Sequence, residues 1–217
     1  MDDSITSYLE SYLPERNLFF KELEQFALEH RVPIMESTGI ETMLQIMRIQ
    51  DPKRILEIGT AIGYSALRMA DTIQNTHIVT LEMDDERFSQ AKENIKRYNM
   101  EERVTVIQGN ALDLYEQVAE HGPYDAIFID AAKGQYAKFF TMYKDLLTEN
   151  GCIYTDNVLF KGLVANENTS ENKRLSSVAS KIKQFNKWVF EQKDFTTVII
   201  PVGDGLAISK KNNVGGL

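Results

Sequence analysis

The sequence predicts an α/β fold of the Rossmann-like type: a mostly parallel seven-stranded sheet with an antiparallel last strand, preceded by N-terminal helices. Three observations carry that expectation. From Lys53 onward, apolar runs of strand length alternate with segments of helical period, which implies parallel strands joined by right-handed crossovers. The stretch Arg54-Ile55-Leu56-Glu57-Ile58-Gly59-Thr60-Ala61-Ile62-Gly63-Tyr64-Ser65-Ala66 reads as a buried strand, a glycine turn and the start of a helix. Near the end, Pro201-Val202-Gly203-Asp204-Gly205 joins two short β-prone runs, and so short a connection reads as a hairpin.

The elements follow in order. Residues 1–50 read as a helical extension and 51–217 as the Rossmann-like core, together one domain. Segments 4–13 and 17–31 are helical, the second with Leu18, Phe19, Leu23, Phe26 and Ala27 near one face and Pro33 as its stop. Ser37 is expected to cap a third helix with an acidic first turn and an apolar side of Ile40, Met43, Leu44 and Met47. Met35, in the connection before it, is placed either to fill a core gap or to act as a lid over a ligand. Strands are expected over 53–58, 77–82, 103–108, 124–130 and 151–156, with helices 63–72, 84–99, 111–120 and 135–147 between them. A long helix over 172–190 and strands over 195–200 and 206–210 complete the chain.

Composition sets bounds. No apolar run is long enough to span a bilayer, and Met1-Asp2-Asp3-Ser4 lacks the opening of a signal peptide. The single cysteine, Cys152, excludes an intramolecular disulfide and lies in an apolar run, so a packing role and a reduced, cytoplasmic location are expected. The net charge of −8 argues mildly against a polyanionic partner. That charge is uneven: residues 161–193 hold seven basic and three acidic side chains, a block that reads most simply as a solvated helix face.

In open α/β sheets, ligands sit outside the carboxyl ends of the strands, so the strand ends are where chemistry is sought. The first carries Glu57-x-Gly59-x-x-x-Gly63, with an acid where a dinucleotide fold has its first glycine. Gly59 and Gly63 permit a tight turn and close approach of backbone to ligand. Glu82 ends the second strand at about the offset of a ribose-binding acid. After the third, Asn110-Ala111 suits the edge and face of an adenine, though Asn110 equally suits a helix cap. The fourth ends at Asp130 and the fifth at Asp156-Asn157. Brought together, these offer three oxygen ligands for Mg²⁺, with Ca²⁺ or Mn²⁺ as variants. The plainer reading gives Asp130 to a cofactor alone and Asp156 to a turn. Lys133 follows three residues after Asp130. Beside a metal its pKa would fall through like charge, and it would take a hydroxyl proton or, if charged, orient an oxyanion; otherwise it is an exposed loop lysine.

The glycine motif resembles the first motif of class I methyltransferases, which bind S-adenosylmethionine. With Glu82, Asp130-x-x-Lys133, Asp156-Asn157 and the terminal Gly203-Asp204-Gly205, the chain resembles the metal-dependent O-methyltransferases of the catechol and caffeoyl-CoA type along essentially its whole length. The resemblance implies that Glu57 and Gly59 belong to the cofactor site and that Ser65 and Asp130 hold the methionine end of the cofactor. Glu82 would then serve the ribose and Asn110-Ala111 the adenine side, with Met35 as lid, and Asp130, Asp156 and Asn157 would hold Mg²⁺.

Within that group, Val32-Pro33-Ile34-Met35-Glu36, Ile129-Asp130-Ala131-Ala132-Lys133-Gly134-Gln135-Tyr136 and the run from Thr155 to Val164 are similar to bacterial tRNA 5-hydroxyuridine methyltransferases. Ala132 departs from the plant caffeoyl-CoA pattern, where a second Asp is usual, and from the animal catechol pattern, where an aromatic stands. The resemblance thus implies methylation of 5-hydroxyuridine at the wobble position of tRNA, with the anticodon loop as partner and a homodimer as assembly. The runner-up is a small-molecule catechol or caffeoyl-CoA-type O-methyltransferase. An NAD-dependent redox enzyme is disfavoured by Glu57, and a non-catalytic module by the intact acids and Lys133.

Overall fold

A computed structural model describes residues 3–165 and 173–212. Its N-terminal extension is three helices: α1 (Asp3–Glu10), α2 (Leu18–His30) and α3 (Ser37–Gln50). The core then alternates β1 (Arg54–Ile58), α4 (Tyr64–Thr72), β2 (His77–Glu82), α5 (Asp85–Arg97), β3 (Val104–Gln108), α6 (Tyr115–Ala119), β4 (Tyr124–Ile129), α7 (Tyr136–Tyr143) and β5 (Leu147–Thr155). It closes with α8 (Lys173–Phe190), β6 (Phe195–Ile200) and β7 (Leu206–Lys211).

The seven strands lie in the order β3-β2-β1-β4-β5-β7-β6. Pairs among the first five are parallel, whereas β7 runs antiparallel to both β5 and β6. The strand order reverses between β1 and β4, which places a crevice at their carboxyl ends. Both faces are covered. Ile55, Ile78, Ala126, Phe128 and Tyr154 pack with α2, α3 and α4 on one side. Leu56, Ile58, Ile127, Ile129 and Ile153 pack with α7 and α8 on the other. Strand side chains alternate between faces, so Glu57 shares the face of Ile55 and points toward α4.

Several boundaries differ from the sequence expectation. Ser37 is the first residue of α3, not its cap; Glu36 holds the cap position without a side-chain bond, and the first turn contains no acid. The expected helix 111–120 is a 3-10 turn, Ala111–Asp113, followed by the short α6, because the Asn110 side chain caps the turn through the Leu112 N–H. The 135–147 segment is helical only to Tyr143 before another 3-10 turn. β5 begins at Leu147 rather than 151 and shifts register against β4 between Tyr124 and Ala126. The first helix ends at Glu10.

Candidate active site

A cavity of about 410 Å³ opens at the crevice beyond β1, β2, β3 and β4. Gly59 makes it possible. Its φ is +106°, and a β-carbon there would stand 2.0 Å from the Asp130 carbonyl oxygen, so only glycine lets the ends of β1 and β4 approach. Gly63, at φ 83°, then turns the chain into α4, whose first residues Tyr64 and Ser65 line the cavity. Glu82 lines it too, and the turn is built around its carboxylate: Oε2 accepts from Ala61 N (2.8 Å), and Oε1 from Met83 N and Asp84 N (3.0 Å each). A carboxylate has about four lone-pair sites, so capacity remains for a ligand hydroxyl. Met35, Asn110, Ala111 and Asp130 also reach the wall, so seven of the eight residues assigned to a cofactor line one space.

Glu57 is the exception. It is fully buried behind the wall, where Oε1 accepts from Ser65 Oγ and Oε2 from Thr80 Oγ1, both at 2.5 Å. Its contribution to any ligand runs through Ser65. Burial pushes its pKa up to about 8, against the two hydroxyl bonds that favour the anion.

The second part of the site is a chain of polar groups at the ends of β4 and β5. The Asp130 N–H donates to Ile58 O (3.0 Å) and the Asp156 N–H to Ile129 O (3.1 Å), which seats the two acids on adjacent strand ends. Asn157 takes a left-handed conformation (φ 63°), its Nδ2 donating to Asp156 Oδ2 (2.8 Å). Lys133 Nζ donates to Asn157 Oδ1 (2.7 Å) and lies 4.5 Å from the centroid of the Phe160 ring. Asp130, Lys133 and Asn157 line the cavity, whereas Asp156 stands behind Asn157.

Burial lifts the Asp130 pKa to about 6, with Lys133 pulling the other way. Asp156 is raised well above the carboxylate range, by burial first and by Asp130 second. Lys133 is lowered chiefly by burial, with a small like-charge effect from Lys161, while Asp204, Asp130 and Asp156 oppose the shift. Among the described residues no three His, Cys, Asp or Glu side chains converge on a metal position. Two acids crowded enough to repel, with the neighbouring Asn157 amide oxygen that Lys133 holds, nonetheless offer an all-oxygen donor set that suits a hard divalent cation and offers nothing to zinc.

Three lining residues escaped the sequence reading, and Asp204, noted there only as part of a motif, was given no role. Met83, Arg87 and Phe139 line the cavity, and Asp204 fastens its mouth. The Asp204 carbonyl accepts from Leu159 N (2.8 Å) and Phe160 N (3.2 Å), and its Oδ1 from Lys161 N (3.2 Å). Phe160 and Lys161 are both left-handed, at φ 46° and 53°, so the turn bearing them is held by the Asp204 loop rather than by its own preference. The available signal was topological: β6 runs parallel to β5, so residues 201–205 follow the carboxyl end of another strand on the same edge.

Comparison with known proteins agrees with this architecture. The family model described as O-methyltransferase matches residues 10–212. A catechol O-methyltransferase of Niastella koreensis is 38% identical over 122 residues, 55% of each chain, so that match spans about half its length. A caffeoyl-CoA O-methyltransferase of Medicago sativa is 26% identical over 219 residues, covering 96% of this chain and 89% of the relative. The crystal structure of a putative caffeoyl-CoA O-methyltransferase from Staphylococcus aureus superposes with a TM-score of 0.90 at 37% identity, covering 95% of this chain and 98% of the other. The O-methyltransferase from Bacillus cereus in complex with SAH gives 0.80 at 26% identity, covering 96% and 97%. With the match spanning the extension, the crevice and the terminal hairpin, the chain belongs to the O-methyltransferase family.

Proposed function

We propose that this O-methyltransferase transfers the methyl group of S-adenosylmethionine to the 5-oxygen of 5-hydroxyuridine at the wobble position of tRNA, assisted by Mg²⁺. The bound cofactor supplies an electrophilic methyl, and the metal supplies a Lewis acid and template for adjacent oxygens, which 5-hydroxyuracil offers on C5 and C4. Asp130, Asp156 and Asn157 would hold the metal; Glu82, Ser65, Asn110 and Ala111 the cofactor; and Met35 would cover it. The SAH-bound Bacillus cereus relative supports the cofactor assignment. Lys133 Nζ would stand beside the reacting hydroxyl as the group that takes its proton, a role favoured by the burial that lowers its pKa. Phe160 covers Lys133, and the Asn157 bond fixes its direction. Displacement at the methyl then mainly requires alignment.

The observation that favours RNA over a small phenol is α8. It carries five basic residues and no acidic one. Lys181 reaches the loop that bears Lys133: a β-carbon on Gly134 would lie 3.5 Å from Lys181 Nζ. An unpaired anticodon base can be splayed from its loop into a pocket of this kind. The second reading, a small catechol or caffeoyl-CoA-type substrate, draws on the names of the Niastella and Medicago relatives. Nucleoside mass spectrometry of tRNA from cells with and without the protein separates the two. Loss of 5-methoxyuridine with gain of 5-hydroxyuridine is expected, restored by the wild type and not by Asp130→Ala or Asp156→Ala; unchanged nucleosides would leave the small-molecule reading.

The same reading takes a second copy of the chain as partner. Ile5, Tyr8, Leu9 and Tyr12 form an exposed apolar stripe along and just beyond α1. Light scattering is expected to give twice the mass of 24.8 kDa, falling to a single chain in Tyr8→Glu/Tyr12→Glu.

A further inference from the structure

Beyond Met35 lies a second space that the reaction as described leaves unused. It is a groove of about 580 Å³ between the end of α2 and the segment that leads into α3. This volume falls in the range of small-molecule sites, roughly 300–1,000 Å³. It adjoins the cofactor cavity, with Pro33, Ile34, Met35 and Tyr64 lining both. Ala27, Val32 and Ile34 form an apolar floor, and Leu28, 75% exposed, stands as a wall with one side to solvent.

The charges around the groove are unequal in their availability. Glu24 is engaged: its Oε1 accepts from Tyr64 OH (2.5 Å) and pairs with Arg16 Nε (2.6 Å). Glu36 faces Lys161 and Asp204, whose fields act on it in opposite directions. Arg31, exposed at the left-handed cap of α2, pairs with no carboxylate among the described residues. An apolar floor with the Arg31 guanidinium beside it fits the apolar face of a base with a phosphate next to it.

We infer that this groove receives the nucleotide next to the reacting base, its base against Leu28, Val32 and Ile34 and its phosphate at Arg31. The inference rests on the tRNA reading and deepens it. While the reacting base lies on the Lys133 and Asn157 side of Met35, its neighbour in the chain crosses to the other side. Recognition of RNA is then divided between a basic face that attracts the polymer and a groove that seats one further residue of it.

The test uses the full chain with a synthetic anticodon-type hairpin containing 5-hydroxyuridine, and the free nucleoside. The variants are Leu28→Ser and Arg31→Gln, singly and together; neither residue lines the cofactor cavity. In the double variant, kcat/KM for the hairpin is expected to fall about tenfold, the scale of losing one apolar side-chain contact together with one phosphate contact. The rate on the nucleoside and the affinity for S-adenosylmethionine stay unchanged. Arg31→Gln alone flattens the salt dependence of hairpin binding by about 0.7 in the log–log slope. An abasic neighbour in the hairpin lowers wild-type activity and leaves the double variant where it was. If the hairpin is methylated and the variants match wild type, or lose nucleoside activity equally, the groove assignment is wrong while the tRNA reading stands. If the variants keep the hairpin but lose a phenolic substrate with an anionic tail, the groove belongs to a small ligand. If wild type ignores the hairpin and methylates a catechol, both readings fall together.

Discussion

Glu57 sits on β1 just before the first turn of the site with no access to water, and its environment sets a pH dependence for the fold. The folded carboxyl titrates near 8, against an ordinary value of 4.5. Proton binding is therefore tighter in the folded state than in the unfolded one. The stability is fully present below about pH 4.5 and is lost as pH rises toward 8. Glu57→Gln keeps an oxygen for Ser65 and removes the titration. At pH 8 the variant is expected to be more stable than wild type, by on the order of 2–4 kcal/mol, with the difference shrinking toward pH 5. Urea unfolding at both pH values measures it, and an equal difference at each would assign the effect to packing. The motif that contains Glu57 was legible because strand-end glycines and acids stand in a fixed local spacing. Its burial behind Ser65 was not, since that follows from which face of β1 meets α4. Asp204 and Phe160 lie in motifs the sequence displayed, but their roles at the site were not legible for the same reason. Each reaches Lys133 or its surroundings through a loop from a distant part of the chain, and no local spacing reports such an approach.

At the scale of elements, the helical extension is joined to the core by charge as well as by apolar packing. Arg68 of α4 and Glu41 of α3 form a buried ion pair, with side chains 7% and 8% exposed. Arg68 Nη1 also donates to Tyr64 OH (3.0 Å), whose own proton goes to Glu24 of α2. The guanidinium carbon lies 5.2 Å from the centroid of the Phe20 ring, so three helices meet at one side chain. Removing one member of such a pair leaves the other buried and uncompensated, at about 3–5 kcal/mol, whereas an apolar replacement of both is often close to neutral. Arg68→Met is therefore expected to destabilise by that amount in chemical denaturation, and Glu41→Leu/Arg68→Met to recover most of it. Additive losses would show that the two side chains act independently. None of this pairing could be read from sequence, because Glu41 and Arg68 sit on helices that look simply amphipathic. The strands, by contrast, were legible to within a residue except at the start of β5, since each is a short apolar run bounded by turn residues. The helix expected over 111–120 failed where a side chain competed with the backbone: Asn110 bonds the Leu112 N–H and tightens the first turn into a 3-10 form.

For the whole molecule, the question is whether a chain of net charge −8 can attract a polyanion. Exposed charges farther apart than about 8 Å are largely screened at physiological ionic strength, so a bound polymer responds to the surface it touches rather than to the total. That surface, on the tRNA reading, is α8, with Lys181, Lys183 and Lys187 exposed, continued by Lys161 at the mouth of the site. The net charge is an average, and α8 gathers five basic residues on one element, the block already uneven in the sequence. Each phosphate contact releases counterions, and losing one flattens the dependence of log K on log salt by about 0.7 to 0.9. Lys183→Glu/Lys187→Glu, two exposed positions one helical turn apart, should therefore weaken tRNA binding and flatten its slope by about 1.4 to 1.8. A catechol, recognised at short range, should show almost no slope in either protein. The measurement is kcat/KM for 5-hydroxyuridine-containing tRNA and for a catechol from low to physiological salt, in wild type and double variant. If the catechol is the better substrate at every salt concentration and the double variant treats tRNA like wild type, the basic face of α8 is only a solvated surface. The small-molecule reading is then the right one.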